Sequence, residues 1–333
     1  MNITDDNGAT YKLLANALKE KGYSYTISHK AGRPKVTYIS QSGRCWSTPI
    51  PRIHYPFISG AVKDLSNDKN AAYEFAQATG IPVPATMYIR AGQQLDLSAI
   101  QKLVNAHAPL IVKPNDSAFS KGLSTNIHSV DEVVDAIEVA RAVRQSDVLV
   151  QEQVSGEEVR FTIVHGKVVA ALLRQTPRII GDGRRSVREL IADENKARLA
   201  LEFPYIHYPQ LDTSIIDATF FTRTDVAKEG EIIELSRAAM IRDGCSIFNV
   251  LDNIHPSYIK EVERLTDSID ANFFIVDFLI EDYMQPAVSN NYWFLEFNVS
   301  PALRLYYACR DGRMVDIAPI VADLIDEHLS SAK

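Results

Sequence analysis

The chain has 333 residues and a formal net charge of −7, from 35 Lys and Arg against 42 Asp and Glu. At roughly 100–200 residues per domain, this length predicts two or three compact units. The 46% hydrophobic and 23% charged content is typical of a globular protein that buries a sizeable core. The mildly acidic balance argues against nucleic acid or an anionic membrane as the main partner.

Targeting and redox signals point to the cytoplasm. No apolar run approaches the roughly 18 residues of a membrane span, and the polar start Met1–Ala9 is not typical of a signal peptide. The cysteines, Cys45, Cys245 and Cys309, lie far apart and are odd in number. This disfavours a disulfide framework or a cysteine-built zinc site. We therefore expect a reduced, cytoplasmic protein with no nucleic-acid or membrane partner.

Residues 1–63 carry the least regular pattern. Residues 11–22 predict an amphipathic helix that ends at a glycine, and strand-like stretches such as Lys35–Ser40 follow it. The segment His54–Ala61 is apolar, contains proline and glycine, and predicts a hinge into the main body.

From Asp64 onward, helix and strand patterns alternate. The predicted helices are residues 68–79, 129–143, a helix after Ser186, 256–271 and 315–329. The predicted strands are residues 86–90, 109–114, 147–150, 159–164, 167–173, 273–280 and 292–297. Capping boxes open two of the helices, Ser129 with Glu132 and Ser186 with Glu189. Hairpins interrupt the alternation, so the predicted fold class is α+β rather than a doubly wound parallel sheet.

The most informative polar residues lie near the end of the chain. Asp277 sits inside an apolar strand, and Glu296 and Asn298 lie two apart at the end of the next strand, so their side chains share a face. Oxygen ligands from two strands suit Mg²⁺. The alternative is that Asp277 caps or bridges and that Glu296 pairs with an arginine. A carboxylate in so apolar a strand needs a strong partner, which favours the metal.

Weaker signals lie upstream. Lys113 ends a buried strand before a loop of small residues, which would present N–H groups to phosphates; a solvated lysine on a surface loop is the alternative. The stretch Gln151–Val154 offers backbone groups to an adenine edge, and a nearby carboxylate can hold ribose hydroxyls, unless the stretch is a plain acidic hairpin turn. The turn Gly181–Arg185 precedes a helix and predicts an anion site or an ordinary turn. The histidines show no metal-ligand spacing, and no hydrolase elbow is present.

Taken in this order, the pieces resemble the ATP-grasp superfamily, and in particular the glutathione-synthetase-like domains of bifunctional glutathione synthetases and of cyanophycin synthetase. The resemblance runs from about Asp64 to Ile325. It is carried by Leu110–Gly122, Ile179–Gly183, Glu189–Ile191, Asp252–Pro256 and Leu295–Pro301. It implies an ATP-grasp fold, in which two α+β lobes sandwich a nucleotide. Residues 64–150 would be the small lobe, residues 151–333 the C-terminal lobe with the Mg²⁺ site, and residues 1–63 a short substrate or packing domain.

The resemblance also implies roles for individual residues. Lys69 and Lys113 match lysines that contact ATP phosphates. Ser117, Ser120 and Gly122 belong to the loop Asp116–Gly122, which closes over the phosphates. Gln151, Glu152 and Val154 belong to the linker that contacts adenine, and Glu158 matches the carboxylate that binds the ribose. Asp277, Glu296 and Asn298 match the Mg²⁺ ligands. Arg174 matches a basic residue near the transferred phosphate, and Arg174, Lys113 and Asn298 form the catalytic set.

The sequence departs from the family pattern at a few positions. Ser120 stands where the loop usually has a second glycine, and Gln151 stands where glutamate is common. Ala302 replaces the glycine usual after Ser-Pro, although its backbone N–H is retained. Residues 1–63 show no family pattern that we recognise and are shorter than the usual preceding domain, which leaves the substrates open.

The resemblance implies an ADP-forming carboxylate–amine ligase that uses ATP with Mg²⁺, or Mn²⁺ in its place. Such an enzyme joins amino acids or short peptides through an acyl phosphate and needs no covalent enzyme nucleophile. Two alternatives stay open, a ligase that adds amino acids to a protein acceptor and a nucleotide-binding regulatory module without turnover. The sequence identifies neither the carboxylate nor the amine substrate. It does not fix the oligomeric state either, and a homodimer is compatible with it.

Overall fold

A computed structural model describes residues 9–30, 33–50, 53–116, 121–143, 145–203, 206–211, 226–236, 239, 241–269 and 271–331. Its helices are α1 (Ala9–Glu20), α2 (Gly60–Asn67), α3 (Lys69–Ala78), α4 (Leu97–His107), α5 (Val130–Val143), α6 (Val187–Leu199), α7 (Pro256–Thr266) and α8 (Ile317–Ser331). Short 3-10 turns lie at Ile241–Asp243 and Leu303–Tyr307. All the strand pairs that these residues form between named strands are antiparallel, which confirms α+β layers rather than a doubly wound parallel sheet.

The first sheet belongs to the N-terminal part of the chain. Its strands are β1 (Ser24–Lys30), β2 (Arg33–Ile39) and β3 (Cys45–Pro49), in the order β1-β2-β3. The apolar face of α1 packs against α8, and Leu14 and Leu18 are fully buried there. The N-terminal elements therefore share a hydrophobic core with the C-terminal helix, while the boundary drawn at residue 63 stays a prediction.

A four-stranded sheet follows in the order β4-β7-β5-β6. Its strands are β4 (Thr86–Ile89), β5 (Leu110–Pro114), β6 (Ser124–Ile127) and β7 (Val148–Glu152). Alternate residues of β7 face opposite sides, as strand geometry requires. Val148 and Val150 pack beneath α4 and α5, whereas Leu149 and Gln151 face the other way, toward α3.

A five-stranded sheet forms the centre of the molecule, in the order β14-β9-β8-β15-β16. Its strands are β8 (Glu157–Val164), β9 (Lys167–Gln175), β14 (Ser246–Asn249), β15 (Phe273–Ile280) and β16 (Tyr292–Asn298). One face packs against α2, α3 and α7 through side chains such as Phe161, Phe278 and Phe294. The other face meets the N-terminal elements and α8 over only part of its length, and its remainder is polar.

Two short strand pairs complete the description. They are β10 (Arg178–Ile180) with β13 (Ile232–Glu234), and β11 (Glu202–Phe203) with β12 (Ile206–His207). The first pair shares a small hydrophobic core with α6.

Most of the predicted elements are confirmed within a few residues. Both capping boxes form, and His165-Gly166 turns the hairpin between β8 and β9. The helix predicted over residues 256–271 is shorter and ends at Thr266. The prediction missed α2 and α4, although Asp96 caps α4 through the N–H of Ala99. Across the described residues, no helix is long and apolar enough to cross a membrane.

Candidate active site

The polar half of the five-stranded sheet is built from residues that lie directly opposite each other. Asp277 on β15 pairs in register with Arg160 on β8 and with Glu296 on β16. Directly opposed residues of neighbouring strands point to the same face, so the three side chains form one row. The register between β15 and β16 shifts just after Asp277.

The buried carboxylate of Asp277 is held by an arginine. Arg160 donates from Nε to Oδ1 at 2.7 Å and from Nη2 to Oδ2 at 2.6 Å, a bidentate ion pair. Asp277 is 1% exposed, so the pair offsets a desolvation cost that neither charge could meet alone. Burial by itself would lower the pKa of Arg160, but the charges of Asp277 and Glu158 outweigh it and raise that pKa.

Asn298 joins the two carboxylates of the row. Its amide nitrogen donates to Asp277 Oδ2 at 2.7 Å and to Glu296 Oε1 at 3.1 Å. The ammonium of Lys69, at the first position of α3, lies 3.9 Å from Glu296 Oε2. The structure therefore brings together all the residues predicted as metal ligands and adds one of the predicted phosphate lysines.

The chemistry of this donor set fits a hard divalent cation. Among the described residues, no group of three or more His, Cys, Asp and Glu side chains is arranged to hold a metal. Glu296 nevertheless offers carboxylate oxygens, as Mg²⁺ prefers. Asn298 turns its amide nitrogen toward both carboxylates, so its oxygen would reach a cation only if the amide turned over when the cation bound. Asp277 already accepts two hydrogen bonds from Arg160 and one from Asn298, so of the roughly four acceptor positions of a carboxylate about one remains for a cation.

A second ion pair continues this polar face toward β9. Glu158 and Arg174 form a close salt bridge, and Arg174 Nη2 also donates to the carbonyl of Ala239 at 2.5 Å. Arg160 Nη2 lies 3.9 Å from Glu158 Oε1 and links this pair to the central row. Burial raises the pKa of Glu158 despite the nearby Arg174.

Lys113 lies on the four-stranded sheet among neutral partners. Its ammonium donates to the hydroxyl of Tyr73 at 2.8 Å and to Oε1 of Gln151 at 3.0 Å. The amide nitrogen of Gln151 donates in turn to Thr86 Oγ1 at 2.7 Å. This bond orients the amide so that its oxygen faces the lysine. Gln151, predicted as an adenine contact, is 1% exposed.

The predicted loop and linker are described in part. Ser117 and Ser120 lie outside the described residues. Gly122 has φ +75°, and a Cβ there would come within 3.0 Å of the Pro114 ring. In the linker, Glu152 accepts from the N–H of Ala85 at 3.2 Å.

The turn after Val154 requires a glycine. A Cβ on Gly156 would lie 2.7 Å from the carbonyl of Ile280, so the linker is pressed against the end of β15. Ala302, which replaces a family glycine, has φ −75°, which any residue adopts without strain.

Sequence analysis missed two residues that hold the site together, Arg160 and Tyr73. Arg160 lies two residues after Glu158, so the strand period places both on one face, and this signal was available. The predicted anion site at Gly181–Arg185 is already filled from within. Asp182 accepts from the N–H groups of Arg184 and Arg185, and the bonds from Arg185 are the main reason that its pKa falls to about 2.

The chain is similar in sequence to known ligases. Residues 75–180 match the family described as D-ala D-ala ligase C-terminus. The chain is 27% identical over 280 residues to cyanophycin synthetase from Trichormus variabilis, and the aligned region covers 81% of this chain and 30% of that protein. It is 30% identical over 214 residues to the bifunctional glutathione biosynthesis protein of Streptococcus thermophilus, covering 61% of this chain and 28% of that one. The chain thus spans under a third of the length of these relatives.

Solved structures share the fold at lower identity. A bifunctional glutathione synthetase from Pasteurella multocida superposes with a TM-score of 0.56 at 18% identity, over 97% of this chain and 44% of that one. A D-alanine–D-alanine ligase from Bacillus anthracis superposes with a TM-score of 0.50 at 16% identity, over 84% of this chain and 71% of that one.

Proposed function

We propose that this chain, which has the ATP-grasp fold, is an ADP-forming carboxylate–amine ligase. The observation that carries the proposal is the row Arg160, Asp277 and Glu296, with Asn298 and Lys69 beside it. It concentrates oxygen donors and cations on one face of a sheet, which suits a nucleotide phosphate chain with its cation. A purely structural ion pair would not need Glu296, whose side chain is 39% exposed.

The lysines would hold the phosphates of ATP. Lys113 faces neutral partners and therefore keeps its full charge for an anion. Lys69 lies beside Glu296, at the edge of the proposed metal position. In the proposed complex the base would lie along the linker Gln151–Val154 and the ribose would lie near Glu158.

Glu296, Asn298 and Asp277 would hold Mg²⁺. The ion would neutralise charge that accumulates on the phosphate oxygens during phosphoryl transfer. Arg160 keeps the Asp277 carboxylate in place, because a bidentate guanidinium fixes both its oxygens. The site is thereby organised before the substrates arrive, which is how fixed charges contribute to catalysis.

The proposed reaction has two steps. A carboxylate oxygen of the first substrate attacks the γ-phosphorus of ATP, and ADP leaves. An amine then attacks the acyl carbon, the C–N bond forms, the C–O bond to phosphate breaks, and the amine proton is lost to solvent or phosphate. Arg174, held by Glu158 and Ala239, would stabilise the charge on the acyl phosphate.

We propose amino acids or short peptides as substrates, because the relatives named above are a cyanophycin synthetase and a glutathione biosynthesis protein. Cys45, Cys245 and Cys309 are free thiols, which is consistent with the reducing cytoplasm that we propose as the site of the reaction.

The experiment is a screen for ATP-dependent phosphate release with pairs of amino acids and dipeptides. The proposal predicts ADP, phosphate and a new amide with at least one pair, and none of these products when either partner is omitted. ATP binding without turnover on any pair would favour a regulatory module. A gel shift of a protein acceptor, with no small-molecule product, would favour a protein-modifying ligase.

A further inference from the structure

Helix α3 carries two side chains that reach two different sheets. Lys69 and Tyr73 are four residues apart, so they lie on the same side of the helix. Lys69 approaches Glu296 on the five-stranded sheet, and Tyr73 accepts from Lys113 on the four-stranded sheet. One helix face thus sets the relative positions of both phosphate lysines.

Tyr73 is itself fixed by the five-stranded sheet. Its ring is 3% exposed and packs edge-on against Phe294 of β16, with the ring centroids 5.9 Å apart at 88°. The position of its hydroxyl is therefore set by the sheet that carries Glu296 and Asn298, and not by the sheet that carries Lys113.

A second contact joins the same two elements. Asn115, two residues after Lys113, accepts from the N–H of Asn70 at 2.9 Å and donates to Asp68 Oδ1 at 3.0 Å. Asp68 is also the N-cap of α3. The end of β5 is thus clamped to the first turn of α3, which keeps Lys113 within reach of Tyr73.

The hydrogen bonds of Lys113 give its ammonium a direction. An ammonium has three N–H donors, and two of them go to Tyr73 and Gln151. Both acceptors are neutral, so they orient the charge without cancelling it. Within the described part of the chain no partner is seen for the third donor, so it can go to an anionic ligand, and the lysine loses few rotamers when that ligand binds.

We propose that Tyr73 is a positioning residue, which aims Lys113 at the nucleotide phosphates from a helix that packs on the five-stranded sheet. The inference rests on the proposed function, because it needs Lys113 to bind phosphate. It assigns a role in binding to a buried tyrosine that acts through the lysine.

The test measures binding of a non-hydrolysable ATP analogue with Mg²⁺ by calorimetry. Tyr73→Phe removes the hydroxyl at nearly constant volume and should weaken binding roughly 3- to 10-fold, the loss expected for a long side chain that is no longer ordered in advance. The matched control is Tyr258→Phe, on α7. That tyrosine is also buried, packs edge-on against Tyr292 of β16, and bonds a backbone carbonyl. The control should leave analogue binding unchanged.

A double-mutant cycle separates positioning from general destabilisation. In a Lys113→Ala background, Tyr73→Phe should change binding less than 2-fold, because its effect acts only through the lysine. Thr86→Val, which frees the Gln151 amide, should weaken binding in the same direction as Tyr73→Phe. Equal binding by wild type and Tyr73→Phe would overturn the inference, as would an equal loss with and without Lys113. If the wild-type chain does not bind the analogue at all, the proposed function fails first, and the inference fails with it.

Discussion

The two main sheets carry their charges in opposite ways. On the five-stranded sheet, the carboxylates of Glu158, Asp277 and Glu296 each lie within 4 Å of a cationic nitrogen. On the four-stranded sheet, Lys113 is bound by a phenol and an amide, which carry no charge. The charges on the five-stranded sheet nearly cancel one another. The positive charge of Lys113 is not cancelled by its hydrogen-bond partners.

This difference separates rigidity from binding. Paired charges cost desolvation, but they fix one geometry, because each partner satisfies the other. A cation that is hydrogen-bonded only to neutral groups keeps its attraction for an incoming anion. The protein therefore uses ion pairs to hold its proposed metal ligands in place and uses neutral acceptors to aim a lysine.

The largest expected effect is on stability, at Asp277. Asp277→Asn leaves the Arg160 guanidinium buried beside a neutral amide, which should lower the free energy of unfolding by about 3–5 kcal/mol. Denaturant melts of the purified variant measure this. A loss below about 1 kcal/mol would show that the pair is solvated and that the five-stranded sheet does not depend on it.

Glu296→Gln should affect turnover while leaving the fold intact. The side chain is partly exposed and its volume barely changes, so the melting temperature should stay near that of the wild type. Removal of one carboxylate from the proposed cation site leaves phosphate charge uncompensated, so kcat should fall on the order of 1,000-fold. Near wild-type ligation at saturating Mg²⁺ would refute the assignment of Glu296.

Lys113→Ala tests the other side of the comparison. The variant should raise the KM for ATP and lower kcat, with a combined loss of about 100-fold in kcat/KM, because the lysine acts on bound and reacting phosphates alike. The free energy of unfolding should change little, since no opposite charge is left unpaired. Unchanged ATP kinetics would mean that Lys113 is only a structural residue at the end of β5.

The smallest expected effect is at Asp147, which precedes β7 of the four-stranded sheet and, like Lys113, forms hydrogen bonds to uncharged groups. Asp147 accepts from the Tyr88 hydroxyl and from the N–H of Ala91, and these bonds lower its pKa. Because the folded-state pKa is lowered, the stabilisation is present above the unfolded value and is lost as the pH falls through the folded one. The stability difference between wild type and Asp147→Asn should therefore shrink as the pH falls below about 4, the ordinary pKa of an aspartate. If the difference in the free energy of unfolding stayed constant as the pH fell, the pKa of Asp147 would not be lowered in the folded state.

The sequence predicted the part of the site that depends on local geometry. Glu296 and Asn298 share a face because side chains alternate along a strand, and this needed no knowledge of the fold. Asp277 was predicted to need a strong partner, an expectation that favoured a metal; the partner in the structure is Arg160, as in the alternative in which Asp277 bridges. That partner could not be identified, because the register between β8 and β15 joins residues 117 positions apart.

Residues that act between elements were harder to find. Tyr73 has an ordinary position on an amphipathic helix, and only the packing of α3 between the sheets brings it to Lys113. The missed helix α4 had a local signal, because Ile100 and Val104 lie four residues apart and are both buried. This signal is local and depends on no tertiary contact.

The most direct test of the proposed ligase follows one oxygen atom. Substrate pairs that release phosphate are incubated with Mg²⁺ and ATP, with ¹⁸O in the carboxylate of the acid substrate, and the phosphate is analysed by mass spectrometry. If that carboxylate is phosphorylated and the amine then displaces phosphate, one labelled oxygen appears in the phosphate for each amide formed, together with ADP. Unlabelled phosphate, or AMP and pyrophosphate in place of ADP and phosphate, would contradict the acyl-phosphate mechanism.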